Sequence, residues 1–209
     1  MTLAAPWHAI KRGYLRLLEP LAGALVGAGI RPNTITTFGL VGTLAAGAAF
    51  ASGRIRLGGW ILSVTAGFDV LDGLVARRSR AESKFGAFYD STLDRIADGV
   101  LLGGLGIFWA AAGPNYSLAM VAVCLAAILG SFLTSYARAR AEGLGLDAKV
   151  GVMQRPERIV LLAAPQALFG LALDGFLLKG VVTILAVTAW ISAIQRIVHV
   201  RRATSGGER

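Results

Sequence analysis

Two long uncharged runs restrict how this chain can fold. Residues 32–53 carry no charged side chain, and neither do the 39 residues 99–137. A helix needs roughly 20 apolar residues to cross the hydrocarbon core of a bilayer, so the second run is long enough for one and a half to two crossings. Gly113, Pro114 and Asn115 lie near its middle and are typical of a turn. The runs therefore predict an integral membrane protein, with two helices joined by a turn within 99–137.

The composition argues against the alternative, in which these runs are the core helices of a soluble protein. Of 209 residues, 55% are hydrophobic and only 16% are charged, which leaves too few polar side chains to cover a soluble domain of this size. Lys11 and Arg12 precede an interrupted amphipathic stretch rather than an apolar core, so no cleaved signal peptide is predicted. Cys124 is the single cysteine and offers no disulfide framework.

The expected fold is an all-α integral membrane protein with six transmembrane helices, preceded by an N-terminal interfacial amphipathic helix. Residues 6–30 combine basic and aromatic side chains with an apolar background, which favours a helix in the membrane interface. Residues 203–209 are polar and are expected to form a flexible tail, and residues 1–209 are expected to form a single domain. Crossings are expected near residues 34–52, 57–79, 86–111, 116–142, 156–174 and 179–200.

The distribution of basic residues predicts the orientation of these helices. With six crossings and both termini in the cytoplasm, the non-cytoplasmic side receives only Arg54, Arg56 and Lys179. This segregation predicts a multi-pass protein of the cell membrane. The net charge of +9 fits contact with anionic lipid headgroups or phosphate substrates. Nucleic acid is not expected as a partner, because the basic residues flank apolar spans without interleaved exposed aromatic residues.

Four aspartates form the most unusual feature of this apolar chain. Asp69 and Asp72 are three residues apart, and Asp90 and Asp94 are four apart, so each pair lies on one face of a helix. Two helices joined by the short linker 78–85 could direct all four carboxylates to a common centre. Such a group needs cationic compensation near hydrocarbon. Oxygen ligands without His or Cys favour a hard divalent cation over zinc.

Two other interpretations of the aspartates stay open at this point. Each carboxylate could form an internal salt bridge, since Arg77, Arg78 and Arg95 are near in sequence. The carboxylates could also line an ion pathway. Gly73 and Gly86 favour the metal site, because they leave room for a bulky ligand to approach the backbone between the two acidic pairs.

The spacing of these residues resembles the signature of the CDP-alcohol phosphotransferase family. The matching positions are Asp69, then Asp72-Gly73-x2-Ala76-Arg77-x8-Gly86-x3-Asp90-x3-Asp94. The resemblance implies six transmembrane helices, a homodimer and an active site near the cytoplasmic face. It implies transfer of a phosphoryl-linked group from a CDP-alcohol, commonly CDP-diacylglycerol, onto a second alcohol with release of CMP.

The resemblance also implies roles for individual residues. Asp69, Asp72, Asp90 and Asp94 would hold Mg²⁺, or Mn²⁺, as one or two ions, and Asp94 would serve as the general base. The CDP moiety would contact Gly73, Arg77, Ser83, Asn33, Thr34, Ile35 and Thr36. Asp98 lies one turn beyond Asp94 and outside the signature, and we expect it to pair with an arginine or to cap the polar site.

A second basic cluster bears on the acceptor alcohol. Ordinary anchoring at the cytoplasmic face is one interpretation. The segments "SYARARAEG" (135–143) and "QRPER" (154–158) and a late arginine are also similar to those of the phosphatidylinositol-phosphate synthases of actinobacteria and archaea. That resemblance implies an acceptor phosphate site made of Arg138, Arg155, Arg196 and Ser135, with Arg138 in place of a lysine. The favoured acceptor is myo-inositol 1-phosphate, and glycerol 3-phosphate is the alternative.

Two functions of other classes compete with the enzyme. A divalent-cation transporter would use the aspartates for passage, and a membrane scaffold would not need them. Neither accounts for Gly73, Ala76, Arg77 and Gly86 at the spacing of the family signature.

Overall fold

The computed structural model describes residues 4–205, with side chains described for residue 13 and from residue 15 onward. These residues form seven α-helices and contain no strand, as the sequence predicts. The helices are α1 (Ala4–Gly27), α2 (Pro32–Ala51), α3 (Ile55–Ser79), α4 (Lys84–Ala110), α5 (Leu118–Glu142), α6 (Arg155–Phe169) and α7 (Phe176–Ser205).

Turn residues separate the helices where the sequence indicates. Gly29 and Gly53 adopt φ values of 70° and 77° between α1 and α2 and between α2 and α3, a conformation that favours glycine. Pro32 begins α2, where the missing N–H costs no helical hydrogen bond. The turn predicted within 99–137 is confirmed: Gly113 has a φ of 145°, and the Ser117 hydroxyl then caps α5 by accepting a hydrogen bond from the Met120 N–H.

Within the part of the chain that the structure describes, four helices are long and apolar enough to cross a membrane, namely α2, α3, α5 and α7. Helix α4 begins with a charged half that includes Asp94, Arg95 and Asp98 before its uncharged half. Helix α6 has 15 residues, and at 1.5 Å per residue it spans about 22 Å. The structure therefore supports a multi-pass membrane protein, while crossings by α4 and α6 and an interfacial position for α1 stay predictions.

The chain forms two compact units, and the boundary between them passes through α2, α3 and α4. The first unit comprises Met1–Gly42 and Val64–Asp94, and the second comprises Thr43–Ser63 and Arg95–Arg209. Helix α7 continues to Ser205, so residues 203–205 of the expected tail are helical. The rest of that expected tail, 206–209, lies outside the described residues.

In the first unit, α1, α2 and α3 share a small apolar core. Ala22, Ile35, Leu71 and Val75 are buried together. A Cβ atom at Gly39 of α2 would lie 3.0 Å from the Cβ atom of Phe68. The close approach of α2 to α3 therefore depends on a small residue at position 39, and it places the first turns of α2 beside the acidic end of α3.

The second unit contains the larger core, in which α7 packs against α5 and α6. Its fully buried side chains include Phe50, Leu62, Leu105, Trp109 and Leu178. A Cβ atom at Gly130 of α5 would lie 3.0 Å from that of Ala189 in α7. The Thr134 hydroxyl donates to the Ala189 carbonyl over 2.8 Å. These contacts hold α5 and α7 together at the level of the basic residues described below.

Candidate active site

The four aspartates of the sequence motif all belong to the first unit. Asp69 and Asp72 lie on α3, and Asp90 and Asp94 lie on α4. Asp72 is buried, with 8% of its surface exposed, and the other three are half-buried. The negative charges of Asp90 and Asp69 both act on the Asp72 carboxyl group. The fold therefore brings at least three of the four predicted carboxylates within electrostatic range of one another.

Thr36 of α2 holds the buried carboxylate in position. Its hydroxyl donates to Asp72 Oδ2 over 2.7 Å, and the Pro32 carbonyl lies 3.2 Å from the same hydroxyl. Thr36 is itself 7% exposed. The sequence predicts Thr36 as a nucleotide contact, and the structure gives its hydroxyl a different partner. We conclude that Thr36 orients Asp72.

The start of α4 is built around Ser83, Gly86 and Asn33. The Ser83 hydroxyl accepts a hydrogen bond from the Gly86 N–H over 2.9 Å, as an N-cap residue does. A Cβ atom at Gly86 would lie 3.1 Å from Ser83 Oγ and 3.4 Å from Asn33 Oδ1. The structure thus brings Asn33, Ser83 and Gly86 together. The absence of a side chain at Gly86 allows Asn33 of α2 to lie close to the cap of α4.

Gly73 and Arg77 are neighbours on α3. A Cβ atom at Gly73 would lie 3.4 Å from Arg77 Nη1, so the arginine extends back along the helix over the glycine. Arg77 is exposed. Of the remaining predicted nucleotide contacts, Thr34 is exposed, whereas the Ile35 side chain is 4% exposed and packs in the apolar core. Ile35 could therefore contact a nucleotide only through its backbone.

Tyr89 is a residue of this region that the sequence reasoning missed. Its hydroxyl lies 2.9 Å from the Thr37 hydroxyl. Because Thr37 donates its own proton to the Asn33 carbonyl over 2.7 Å, the Tyr89 hydroxyl is the donor in the first of these bonds. The Phe85 and Tyr89 rings stack with their centroids 5.7 Å apart. The sequence signal for this ring stacking is the spacing of four residues between Phe85 and Tyr89.

The four aspartates have the right chemistry to bind a hard cation, but their side chains do not converge on one point. No group of three or more His, Cys, Asp or Glu side chains in the described residues is arranged to hold a metal ion. The four aspartates of α3 and α4 nevertheless offer carboxylate oxygens, which are ligands that Mg²⁺ and Mn²⁺ prefer. Asp72 also lies in the field of two like charges, which a divalent cation would offset. The residues therefore fit such an ion.

The predicted acceptor residues lie in the second unit, and each already has a protein partner. Arg138 Nε donates to Glu142 Oε1 over 2.8 Å at an exposed site. Arg196 Nε donates to the Val150 carbonyl over 2.8 Å, and its Nη1 donates to the Thr134 carbonyl over 2.6 Å. Ser135 Oγ donates to the Ser131 carbonyl over 3.0 Å. The two Arg196 bonds connect α7 to the 143–154 loop and to α5.

Five arginines of the second unit form one basic cluster: Arg95, Arg138, Arg155, Arg158 and Arg196. The positive charges of Arg138, Arg158 and Arg95 all act on Arg196. Arg155 is linked to the same cluster through Asp98, whose two carboxylate oxygens lie 3.8 Å from Arg155 Nε and 3.5 Å from Arg158 Nη2. The expectation that Asp98 pairs with an arginine is therefore confirmed. Arg158 and Ser131 are members of this cluster that the sequence reasoning did not single out.

Comparison with known proteins identifies the class to which this fold and site belong. Residues 30–198 match the model of the CDP-alcohol phosphatidyltransferase family. The match covers more than half of the chain, all four motif aspartates and the basic cluster. The chain belongs to this family and is an enzyme.

Individual relatives indicate which enzymes of the family this chain is similar to. The phosphatidylinositol phosphate synthase of Mycobacteroides abscessus is 36% identical over 194 residues, which cover 92% of this chain and 87% of the relative. The archaetidylinositol phosphate synthase of Methanothermobacter thermautotrophicus is 35% identical, and the match covers 88% and 89% of the two chains. The similarity thus extends to both the bacterial and the archaeal enzymes that the sequence motifs resemble.

The fold is similar to that of solved structures of the Mycobacterium tuberculosis phosphatidylinositol phosphate synthase. The structure with CDP-DAG bound superposes with a TM-score of 0.80 at 30% identity, covering 88% of this chain and 94% of that one. The structure in complex with manganese and citrate superposes with a TM-score of 0.78 at 30% identity, covering 87% and 88%.

Proposed function

We propose that this protein transfers the phosphatidyl group from CDP-diacylglycerol to a phosphorylated polyol, with myo-inositol 1-phosphate as the favoured acceptor. The products are phosphatidylinositol phosphate and CMP. The strongest support is the acidic face of α3, where Thr36 holds the buried Asp72 within the field of Asp69 and Asp90. Asp69, Asp72 and Asp90 occupy positions of the family signature in a chain that is 36% identical to a phosphatidylinositol phosphate synthase.

Carboxylates and the first turns of two helices would bind the CDP-lipid. Asp69, Asp72, Asp90 and Asp94 would hold Mg²⁺ or Mn²⁺, as one or two ions, which neutralises charge on the pyrophosphate when bound. Arg77, exposed beside Gly73, would donate to a phosphate oxygen. Gly73, Ser83 and residues 33–36 would contact the nucleotide, with Thr36 acting through Asp72. The manganese complex and the CDP-DAG complex of the M. tuberculosis enzyme support a divalent cation and CDP-diacylglycerol as the ligands.

Asp94 would act as the general base. Its carboxylate accepts the proton of the acceptor hydroxyl as that oxygen attacks the phosphorus atom attached to diacylglycerol. A new oxygen–phosphorus bond forms, the bond from this phosphorus to the bridging oxygen breaks, and the electron pair leaves with CMP. Asp94 is half-buried on α4, one turn after Asp90, so the base and its neighbouring carboxylate share one face of the helix.

The basic cluster would bind the phosphate of the acceptor. Arg138, Arg155 and Arg196 come from three helices and are linked by electrostatic contacts. Ser135 lies one turn from Ser131 on α5 and is half-buried. A phosphate dianion is the ligand that several guanidinium groups at one place recognise best. A neutral polyol would leave this positive charge without a counterpart.

The membrane arrangement follows from the charge distribution. We propose six crossings by α2 to α7, with both termini and the active site on the cytoplasmic side of the cell membrane, and with α1 in the interface against anionic lipids. Arg54, Arg56 and Lys179 would be the basic residues on the other side. Residues 1–209 would act as one catalytic domain within a homodimer.

Glycerol 3-phosphate is the alternative acceptor, because it presents the same dianion on a smaller alcohol. Cation transport through the aspartates is the alternative of a different class. Thr36, Gly86 and Ser83 shape the surroundings of the acidic residues in ways that suit an anchored ligand set, and cation transport does not account for Gly73, Ala76, Arg77 and Gly86 at the spacing of the family signature.

The test is an assay of CMP release by the purified protein with CDP-diacylglycerol, Mg²⁺ and a panel of alcohols. We expect rapid release with myo-inositol 1-phosphate and little with free inositol. Preference for glycerol 3-phosphate would retain the enzyme class and change the acceptor. No CMP release with any alcohol, together with Mg²⁺ flux in proteoliposomes, would refute the proposal in favour of a transporter.

A further inference from the structure

Asp98 is a buried carboxylate that the proposed transfer reaction does not use. It lies on α4, one turn beyond Asp94, and is 7% exposed. It belongs to the second unit, with the basic cluster. Isolated buried carboxylates are strongly unfavourable in a membrane protein, so the contacts of Asp98 indicate why the chain retains it.

Three polar side chains surround Asp98 and use both of its oxygens. The Ser131 hydroxyl donates to Oδ2 over 2.6 Å, and Arg158 Nη1 donates to the Ser131 hydroxyl over 2.8 Å. Arg158 Nη2 lies 3.5 Å from the same Oδ2, and Arg155 Nε lies 3.8 Å from Oδ1. Asp98 therefore fixes two arginines of α6 and one serine of α5 from a position on α4.

The surroundings strengthen these interactions. Ser131 is 1% exposed, and a cavity of about 30 Å³ beside the network is lined mainly by apolar side chains, among them Leu101, Leu162 and Leu185. Charges interact more strongly in such an environment than in water. A buried ion pair nevertheless rarely stabilises a fold more than apolar side chains would, and its best-supported use is to fix a specific arrangement.

The arrangement fixed here concerns the cluster that would bind the acceptor. Arg158 acts electrostatically on Arg196, as do Arg138 and Arg95. Like charges at close range repel, so the arginines need a counter-ion while no phosphate is bound. Asp98 supplies this counter-ion from a buried position, through its contacts with Arg155 and Arg158.

We propose that Asp98, together with Ser131, is a positioning residue for the acceptor phosphate: it holds Arg155 and Arg158 in the orientation that receives the dianion. This inference rests on the proposed function, and it adds a source of acceptor specificity that lies outside the family signature. Asp98 contacts neither the reacting atoms nor the CDP-lipid in this role. Its removal affects the acceptor selectively.

The test compares the two substrates of one enzyme. Asp98→Asn keeps the shape of the side chain and removes its charge. We expect the KM for the acceptor phosphate to rise roughly tenfold, the size of effect that loss of a hydrogen bond to a charged group produces. The KM for CDP-diacylglycerol should change less than about twofold. Ser131→Ala should produce a smaller increase in the same constant, and Asp98→Glu should restore part of the wild-type value.

Asp147→Asn is the matched control, because Asp147 forms an exposed ion pair with Lys149 at 3.8 Å, and this variant should leave both KM values unchanged. Should Asp98→Asn fold poorly, Ser131→Ala decides the question through the same comparison of the KM for the acceptor phosphate with the KM for CDP-diacylglycerol. Equal changes in both KM values, or lower thermal stability with both constants unchanged, would show that the network is only structural. An inactive wild-type protein would instead refute the proposed function, so the two failures are distinguishable.

Discussion

Replacement of Thr36 by valine tests whether the acidic site depends on a residue of α2. Valine keeps the branched shape of threonine and removes the hydroxyl that donates to Asp72 over 2.7 Å. Both side chains are buried, at 7% and 8% exposure, so solvent cannot replace the lost donor. We expect Asp72 to lose its fixed orientation while the packing of α2 against α3 is retained.

The size of the effect follows from this geometry. A hydrogen bond to a charged group contributes about 1.5–3 kcal/mol, and 1.4 kcal/mol corresponds to a factor of about ten. Groups that orient a metal ligand typically contribute roughly 10- to 100-fold to metal affinity or activity. For Thr36→Val we therefore expect the Mg²⁺ concentration at half-maximal rate to rise, or turnover to fall, by roughly 10- to 100-fold.

The assay is CMP release measured over a range of Mg²⁺ concentrations at saturating lipid and acceptor. Thr36→Ser retains the hydroxyl and should keep most of the activity. Thr183→Val is the control, because the Thr183 hydroxyl is exposed and donates to the Lys179 carbonyl one turn earlier in the same helix. If folded Thr36→Val protein shows the Mg²⁺ dependence and turnover of the wild type, the Thr36 hydroxyl does not support the site, and the reasoning from this hydrogen bond is refuted.

Four further predictions concern the metal, the base, the acceptor and the core. EDTA should abolish CMP release and excess Mg²⁺ should restore it; full activity after dialysis against EDTA would refute a metal site. Asp94→Asn should lower turnover by roughly 100-fold or more, because it removes the proton acceptor, while titration with CDP-diacylglycerol should show nearly unchanged binding; near-normal turnover would exclude Asp94 as the base. Arg155→Ala should raise the KM for the acceptor by roughly tenfold and should not change that for CDP-diacylglycerol; equal reactivity of free inositol and its phosphate would count against the arginine pocket. Gln166 is fully buried, and within the described residues its amide atoms have no hydrogen-bond partner, so Gln166→Leu should raise the thermal midpoint in detergent without loss of activity; a lower midpoint would show that the amide is satisfied.

Most helix boundaries could be predicted from the sequence because local signals determine them. The expected crossing 57–79 corresponds to α3 (Ile55–Ser79), and 116–142 corresponds to α5 (Leu118–Glu142). Uncharged runs, glycines with positive φ and a serine cap are all visible in the sequence. The expected crossing 156–174 extends beyond α6, which ends at Phe169, since an apolar run alone does not reveal where a short helix stops.

The site could be predicted only where residues act through a fixed spacing. The aspartates share helix faces because they are three and four residues apart, and the structure places them accordingly on α3 and α4. Thr36 and Asp72 are 36 residues apart in sequence, and Asp98 and Ser131 are 33 apart. Pairings over such distances depend on how helices pack, so a single sequence cannot assign them.

The two acidic partners of the basic cluster differ in a way that bears on how it would receive a phosphate. Glu142 pairs with Arg138 at an exposed site, with side chains 46% and 44% exposed, and exposed pairs of this kind contribute only about 0–1 kcal/mol. The order of the pair, with the basic residue nearer the helix N-terminus, is the weaker of the two orders on a helix. Asp98 is buried and holds its arginines through several contacts. In the proposed acceptor site, an incoming dianion would therefore displace Glu142 from Arg138 at little cost, whereas Asp98 would stay in place and keep Arg155 and Arg158 oriented. One carboxylate would then act as an exchangeable partner and the other as a fixed support, which suits a site that binds and releases a charged substrate.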